Sequence, residues 1–108
     1  MAKHFLEKLD VLAKEKKIRV EIEDLPLLVL YHEENVYVLK DKCPHMRASL
    51  YKGTFEDGVV TCRKHGAQID AKTGEVLRKA KIGFVHMPTK KATTYPAVIE
   101  DGKVFVKL

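Results

Sequence analysis

Two cysteines and two histidines carry the chemistry of this chain: Cys43-Pro44-His45 spells C-x-H, and Cys62-Arg63-Lys64-His65 spells C-x-x-H. Both cysteines of the sequence are used. A disulfide between them would leave the histidines idle and staple only one hairpin, so four soft or borderline donors in two short loops point to a metal centre. A structural zinc site is one centre with such a set, closing four-coordinate around two Cys and two His. C-x-H is tighter than the usual zinc knuckle and no helix carries the histidine pair, which weighs against zinc.

The elements around these loops read as short strands and turns. Lys17 to Ile22 alternates, with Ile18, Val20 and Ile22 on one face, and Leu27 to Tyr31 followed by Val36 to Leu39 forms a hairpin around positions 32–35. Asp57-Gly58, Thr73-Gly74 and Asp101-Gly102 are turn signals. The last closes a hairpin between Ala97 to Ile99 and Val104 to Val106, expected to return to the main sheet. Phe5, Leu6, Leu9 and Leu12 instead fall at helical spacing in a Lys-, Glu- and Ala-rich segment. The pattern predicts an all-β chain with an antiparallel sandwich or barrel-like base. At 108 residues one domain, 1–108, is expected, with about 42–78 projecting from the base as a cluster-binding subdomain.

The ligand order, with Pro44 inside the first loop and Gly66 directly after the last histidine, resembles the Rieske iron-sulfur domain. The resemblance runs from about Lys17 to Leu108. Val36 to Leu39 looks like the strand entering the cluster region, Leu50 and Gly53 fall where the family carries a leucine and a glycine, and Val59-Val60-Thr61 feeds the second loop. Gly66, Asp70, Thr73 and Gly74 match the continuation H-G-x-x-x-D-x-x-x-G. The resemblance implies one [2Fe-2S] cluster per chain, with Cys43 and Cys62 on the inner iron and His45 and His65 on the outer one. It also implies, over the helical pattern, a short strand near His4 to Leu6 followed by about one helical turn at Leu9 to Leu12, since an edge strand needs cover.

Neutral imidazoles in place of two thiolates raise a cluster's potential, to about −150 to +300 mV for Rieske centres against about −400 mV for plant-type ferredoxins. Departures from the family pattern place this chain within that window. Respiratory and photosynthetic Rieske proteins carry two further cysteines that bridge the loops; here Ala48 and Lys64 occupy or adjoin those places, and the cysteine count leaves no bridge. High-potential members also place a serine and a tyrosine after the second histidine as donors to sulfur. Ala67 and Ile69 stand here and their side chains donate nothing, so a potential toward the lower end of the range is expected. Arg63 replaces a proline common in the second loop. Met46 is expected to be an apolar cover, and Pro44 to fix the first loop's backbone.

The resemblance therefore implies an electron carrier, not itself an enzyme, passing one electron from a flavin-dependent reductase to an oxygenase or another terminal acceptor. A second reading within the family is a small subunit or module of a larger reductase, such as a nitrite reductase. Rieske oxygenases hold a mononuclear iron in a further domain, which these 108 residues are not expected to include. His4, His32 and His86 are scattered without ligand spacing, and Tyr37 and Tyr51 read as core. The formal charge of +5 is spread along the chain and interleaved with Glu, with no basic run that would suit nucleic acid. Lys42, Arg47, Arg63 and Lys64 bracket the ligands and could steer an acidic redox partner. The N-terminus lacks a signal-peptide core, and the run Leu25 to Tyr31 is too short to span a bilayer, so a cytoplasmic protein with redox-protein partners and no membrane anchor is expected.

Overall fold

The computed structural model describes residues 2–42, 49–63, 66–78, 81–82, 85–86 and 91–108. In chain order the elements are β1 (Lys3–Lys8), α1 (Leu9–Glu15), β2 (Lys17–Ile22), β3 (Leu25–His32), β4 (Asn35–Lys40), a 3₁₀ turn (Leu50–Lys52), β5 (Thr54–Glu56), β6 (Val59–Thr61), β7 (Gln68–Asp70), β8 (Val76–Arg78), β9 (Lys81–Ile82), β10 (Val85–His86), β11 (Thr94–Tyr95), β12 (Ala97–Glu100) and β13 (Lys103–Lys107). Every strand pairing among them is antiparallel. The N-terminal segment is strand first and helix second, as the resemblance implied, although the helix runs to Glu15 and so exceeds one turn.

Three sheets make the body. β11-β4-β3-β2 lies at the centre, β1-β13-β12 forms a second sheet, and β5-β6-β7-β8 a third. The C-terminal hairpin therefore does not return to the main sheet: it pairs with β1, and β13 sits between β1 and β12. Ala97 to Glu100 and Lys103 to Lys107 already satisfy each other's backbone, and the N-terminal strand completes that sheet instead.

Side-chain alternation on the central sheet explains the layering. Leu27 and Val29 of β3 and Val38 of β4 face one way, into a core shared with Leu6, Leu12, Val104 and Val106. Leu28, Leu30 and Leu39 face the other way, into a second core with Leu50, Val60, Cys62, Ala67, Ile69, Ala71 and Ala92. β3 is thus covered on both faces, which is why its sequence is a continuous apolar run and not an alternating one. Fully burying a leucine side chain stabilises by roughly 1.5–3 kcal/mol, and both cores hold several.

Four hairpins close through two residues, both with positive φ: Glu23-Asp24 (48° and 69°), Glu33-Glu34 (49° and 66°), Asp57-Gly58 (51° and 77°) and Asp101-Gly102 (50° and 72°). This conformation matches the right-handed twist of paired strands. The two Asp-Gly turns are legible in the sequence; the two acidic pairs reach the same geometry without glycine, at a cost of about 1 kcal/mol or more per left-handed residue.

Candidate metal centre

The second ligand segment is built on the β6–β7 hairpin. Val60 pairs with Ile69 and Thr61 with Gln68, and beyond them the Cys62 amide donates to the Ala67 carbonyl at 2.8 Å. The Gly66 amide returns to the Cys62 carbonyl at 3.1 Å, a tight reversal that Gly66 permits with φ of 74°. Cys62 is 1% exposed, within the core formed by Leu50, Val60, Ala67 and Ile69. Ala67 and Ile69 are fully buried, so the side chains that pack this layer are apolar.

The first segment begins where β4 ends. Asp41 is buried, and its amide donates to the Pro26 carbonyl at 2.9 Å. Its carboxylate accepts three hydrogen bonds: Oδ2 from Arg19 Nε at 2.8 Å and from Ser49 Oγ at 2.6 Å, and Oδ1 from the Tyr51 amide at 2.7 Å. Arg19 also reaches Glu21 at 3.1 Å. Its guanidinium, bonded to Asp41 and then to Glu21, is held above the ordinary arginine value. Beside it, Lys17 Nζ donates to the Tyr51 carbonyl at 2.6 Å and the Gly53 carbonyl at 2.8 Å. Lys17 and Arg19 stand opposite Leu30 and Leu28 in the β2–β3 pairing, so the polar face of β2 looks toward the 3₁₀ turn and the stem of the first loop.

Of the four expected ligands the structure places Cys62; Cys43, His45 and His65 lie outside the described residues. So do Pro44, Met46, Arg47, Ala48, Lys64 and Pro88. Lys42 and Arg63 are exposed beside the two loops. Tyr37 and Tyr51 pack partly buried against the core around Cys62, in keeping with a structural reading. Asp70 and Gly74 close the β7–β8 turn, with the Gly74 amide on the Asp70 carbonyl at 2.7 Å, and the Gly74 carbonyl accepts from the Ala92 amide at 2.8 Å, tying β11's approach to this layer. Sequence reading missed Asp41, Arg19, Ser49 and Lys17. Its only available signal was an acidic residue two positions before Cys43, and alternation on β2 reads Lys17, Arg19 and Glu21 as an ordinary wet face.

The fold is all-β, antiparallel throughout its described strand pairings, with a free cysteine buried beside the β6–β7 turn. The model of the Rieske [2Fe-2S] domain matches residues 3–88, and the chain belongs to that family. The 3-phenylpropionate/cinnamic acid dioxygenase ferredoxin subunit of Escherichia coli K12 is 32% identical over 91 residues, covering 82% of this chain and 79% of that protein. Among solved structures, the ferredoxin of carbazole 1,9a-dioxygenase from Nocardioides aromaticivorans IC177 superposes with a TM-score of 0.81 at 19% identity, covering 98% of this chain and 97% of that one. A chain from the complex of reduced oxygenase and oxidised ferredoxin in carbazole 1,9a-dioxygenase gives 0.80 at 23%, covering 96% and 91%. At those identities the two structures speak for the fold.

The family implies a [2Fe-2S] group, and the donor set suits it. Cys62 presents a soft sulfur within a buried apolar layer, and the C-x-H and C-x-x-H spacings supply the second thiolate and two imidazoles. Among the described residues no helix is long and apolar enough to cross a membrane.

Proposed function

We propose that this chain is a Rieske ferredoxin, a single domain 1–108 whose segment of about 42–78 holds one [2Fe-2S] cluster and passes single electrons between protein partners in an aromatic-ring dioxygenase system. The reading rests on the family match across 3–88 together with relatives that are dioxygenase ferredoxin subunits. Cys43 and Cys62 are assigned to the inner iron, His45 and His65 to the outer iron. When bound, the cluster supplies a one-electron couple.

The chain's own residues supply the rest. The β6–β7 hairpin fixes the backbone on both sides of Cys62 through the bonds to Ala67 and Gly66. Leu50, Val60, Ala67 and Ile69 exclude water from the sulfur side, which strengthens every electrostatic interaction there. Lys42 and Arg63, exposed beside the loops, offer positive charge to an acidic docking face, with association that weakens as salt rises. The donor is assigned as a flavin-dependent reductase and the acceptor as a terminal oxygenase, in the cytoplasm.

The test is anaerobic purification followed by iron and acid-labile sulfide analysis, then transfer. Two irons and two sulfides per chain, reduction by a flavin-dependent reductase and oxidation by a dioxygenase terminal component bear the proposal out. A colourless protein holding one zinc overturns it, and a loaded protein that exchanges electrons only inside a larger reductase overturns the ferredoxin assignment alone.

A further inference from the structure

We propose that Asp41 is the positioning residue of the first ligand loop, a buried carboxylate that locks the two ends of the loop together and ties both to the central sheet. The proposal rests on the assignment of Cys43 and His45 as ligands, which lie between those ends. On the entering side stands Asp41 itself, anchored through its amide to the Pro26 carbonyl at 2.9 Å. On the leaving side stand Ser49 and Tyr51, whose hydroxyl and amide reach the same carboxylate at 2.6 and 2.7 Å. The described residues that flank positions 43–48 are therefore clasped to one another through a single side chain.

The third donor makes the clasp part of the scaffold. Arg19 Nε meets Oδ2 at 2.8 Å from β2, two strands away from β4 in the central sheet. A carboxylate whose side chain is 0% exposed is costly to bury without partners, and here three donors, one of them cationic, satisfy it. Hydrogen bonds to a charged acceptor are stronger than neutral ones and demand better geometry. A carboxylate is also the suited group: three donors converge on two oxygens, and an amide of the same shape would turn one donor against another.

Closing a loop before its ligands meet the metal removes conformational freedom that binding would otherwise have to remove, so the clasp acts on how tightly and in what orientation the loop holds its irons. Asp41 is not among the assigned ligands; it acts through the segment that carries them.

The test uses the full chain loaded with iron and sulfide, in wild type and in Asp41→Asn, Ser49→Ala and Ser49→Thr. Three readouts are taken: the half-life of visible absorbance under excess chelator, the electron paramagnetic resonance of the reduced protein, and far-ultraviolet circular dichroism of the fold. Asp41→Asn is expected to shorten the chelator half-life by about tenfold or more and to shift or broaden the resonance, with the β spectrum kept. Ser49→Ala is expected to shorten it by a few fold, and Ser49→Thr, which keeps the hydroxyl, to restore it. Should Asp41→Asn fail to fold, the Ser49 pair decides: a Thr variant no better than Ala overturns the clasp. Unchanged half-life and resonance in a folded Asp41→Asn protein also overturn it. Those failures are distinct from failure of the ligand assignment, which appears as wild-type protein that carries no iron-sulfur chromophore.

Discussion

At Gly53 a single methyl group should do damage out of proportion to its size. It follows the 3₁₀ turn with φ of −84° and ψ of −159°, an extended backbone that alanine adopts without strain, and by conformational entropy alone Gly53→Ala should stabilise by about 0.4–1 kcal/mol. Space decides otherwise. A Cβ at Gly53 would sit within the contact radius of the Thr61 carbonyl oxygen, with the Thr61 carbonyl carbon at 3.0 Å and the Leu50 carbonyl oxygen at 3.3 Å. All these neighbours are backbone, so no side chain can swing away. Relief requires the start of β5 and the end of β6 to part by on the order of 1 Å, and such overpacking costs about 1–3 kcal/mol. Parting them also weakens the Thr54 and Thr61 pairing, worth about 0.5–1.5 kcal/mol per hydrogen bond. The net expectation is a loss of about 2–3 kcal/mol, or roughly 8–24 °C in midpoint at ~4–8 °C per kcal/mol for a domain of this size. Gly102→Ala is the control: its φ of 72° disfavours any side chain, yet no atom lies within 4 Å of the added Cβ, so the cost is the dihedral one, about 1–2 kcal/mol. Thermal unfolding of the loaded proteins at one scan rate should rank Gly53→Ala below Gly102→Ala. The reverse order, or a Gly53→Ala midpoint equal to wild type, would refute the steric reasoning.

Further expectations concern the turns, the bridging lysine and the redox couple. Glu34 holds φ of 66°, so Glu34→Gly should gain up to about 1 kcal/mol, read by urea unfolding at constant m-value; a loss would mean the side chain contributes more than its dihedral costs. Lys17→Met removes two charge-assisted bonds to the Tyr51 and Gly53 carbonyls and should cost about 1–3 kcal/mol, whereas breaking the exposed Lys3 and Glu100 pair, with side chains 41% and 47% exposed, should cost under about 1 kcal/mol in the same assay. Because the pKa of Arg19 is raised, its ion pairing is fully present below the ordinary arginine value and is lost only as pH climbs through the raised one. The cost of Arg19→Met should therefore be the same at pH 7 and at pH 10, read by urea unfolding at both. With Ala67 and Ile69 offering no side-chain donor, a redox titration should give a potential below about +100 mV.

The sequence made the strands of the central sheet legible because two of their residue patterns are unambiguous: alternation in Lys17 to Ile22, and short apolar runs bounded by turns in β3 and β4. Asp57-Gly58 and Asp101-Gly102 were legible because glycine names the left-handed position. Glu23-Asp24 gave no such signal, since an acidic pair reads as solvated loop, yet it closes β2 onto β3 with the same dihedrals. The sheet to which the C-terminal hairpin belongs was not legible either. Strand pattern fixes which face is buried and says nothing about the neighbour, and β1 took the place beside β13 that the main sheet was expected to fill. For the site, residue type and spacing pointed to the donors. The polar cluster beside the first segment did not register, because Asp41, Ser49 and Arg19 are ordinary residues until the fold brings the Ser49 hydroxyl and Arg19 Nε within 3 Å of the Asp41 carboxylate.

The two faces of β2 meet different layers. Its apolar side, Ile18, Val20 and Ile22, packs into the core shared with the N- and C-terminal strands, and its polar side, Lys17 and Arg19, bonds the layer that holds Cys62 and the 3₁₀ turn. An edge strand exposed on one face shows the same alternation, and here the polar face does both: Arg19 and Glu21 keep 40% and 54% of their side chains exposed while Lys17 and Arg19 bond the layer beside them. The division of labour has a physical reason. The layer around Cys62 presents backbone carbonyls at Tyr51 and Gly53 and a buried carboxylate at Asp41, and apolar side chains against them would leave acceptors unsatisfied at a cost of about 1–3 kcal/mol each. Side chains that donate can face such a surface, and on β2 Lys17 and Arg19 do so. Lys42 and Arg63, exposed beside the proposed ligand segments, are described cations on which salt-dependent docking can be tested by charge reversal.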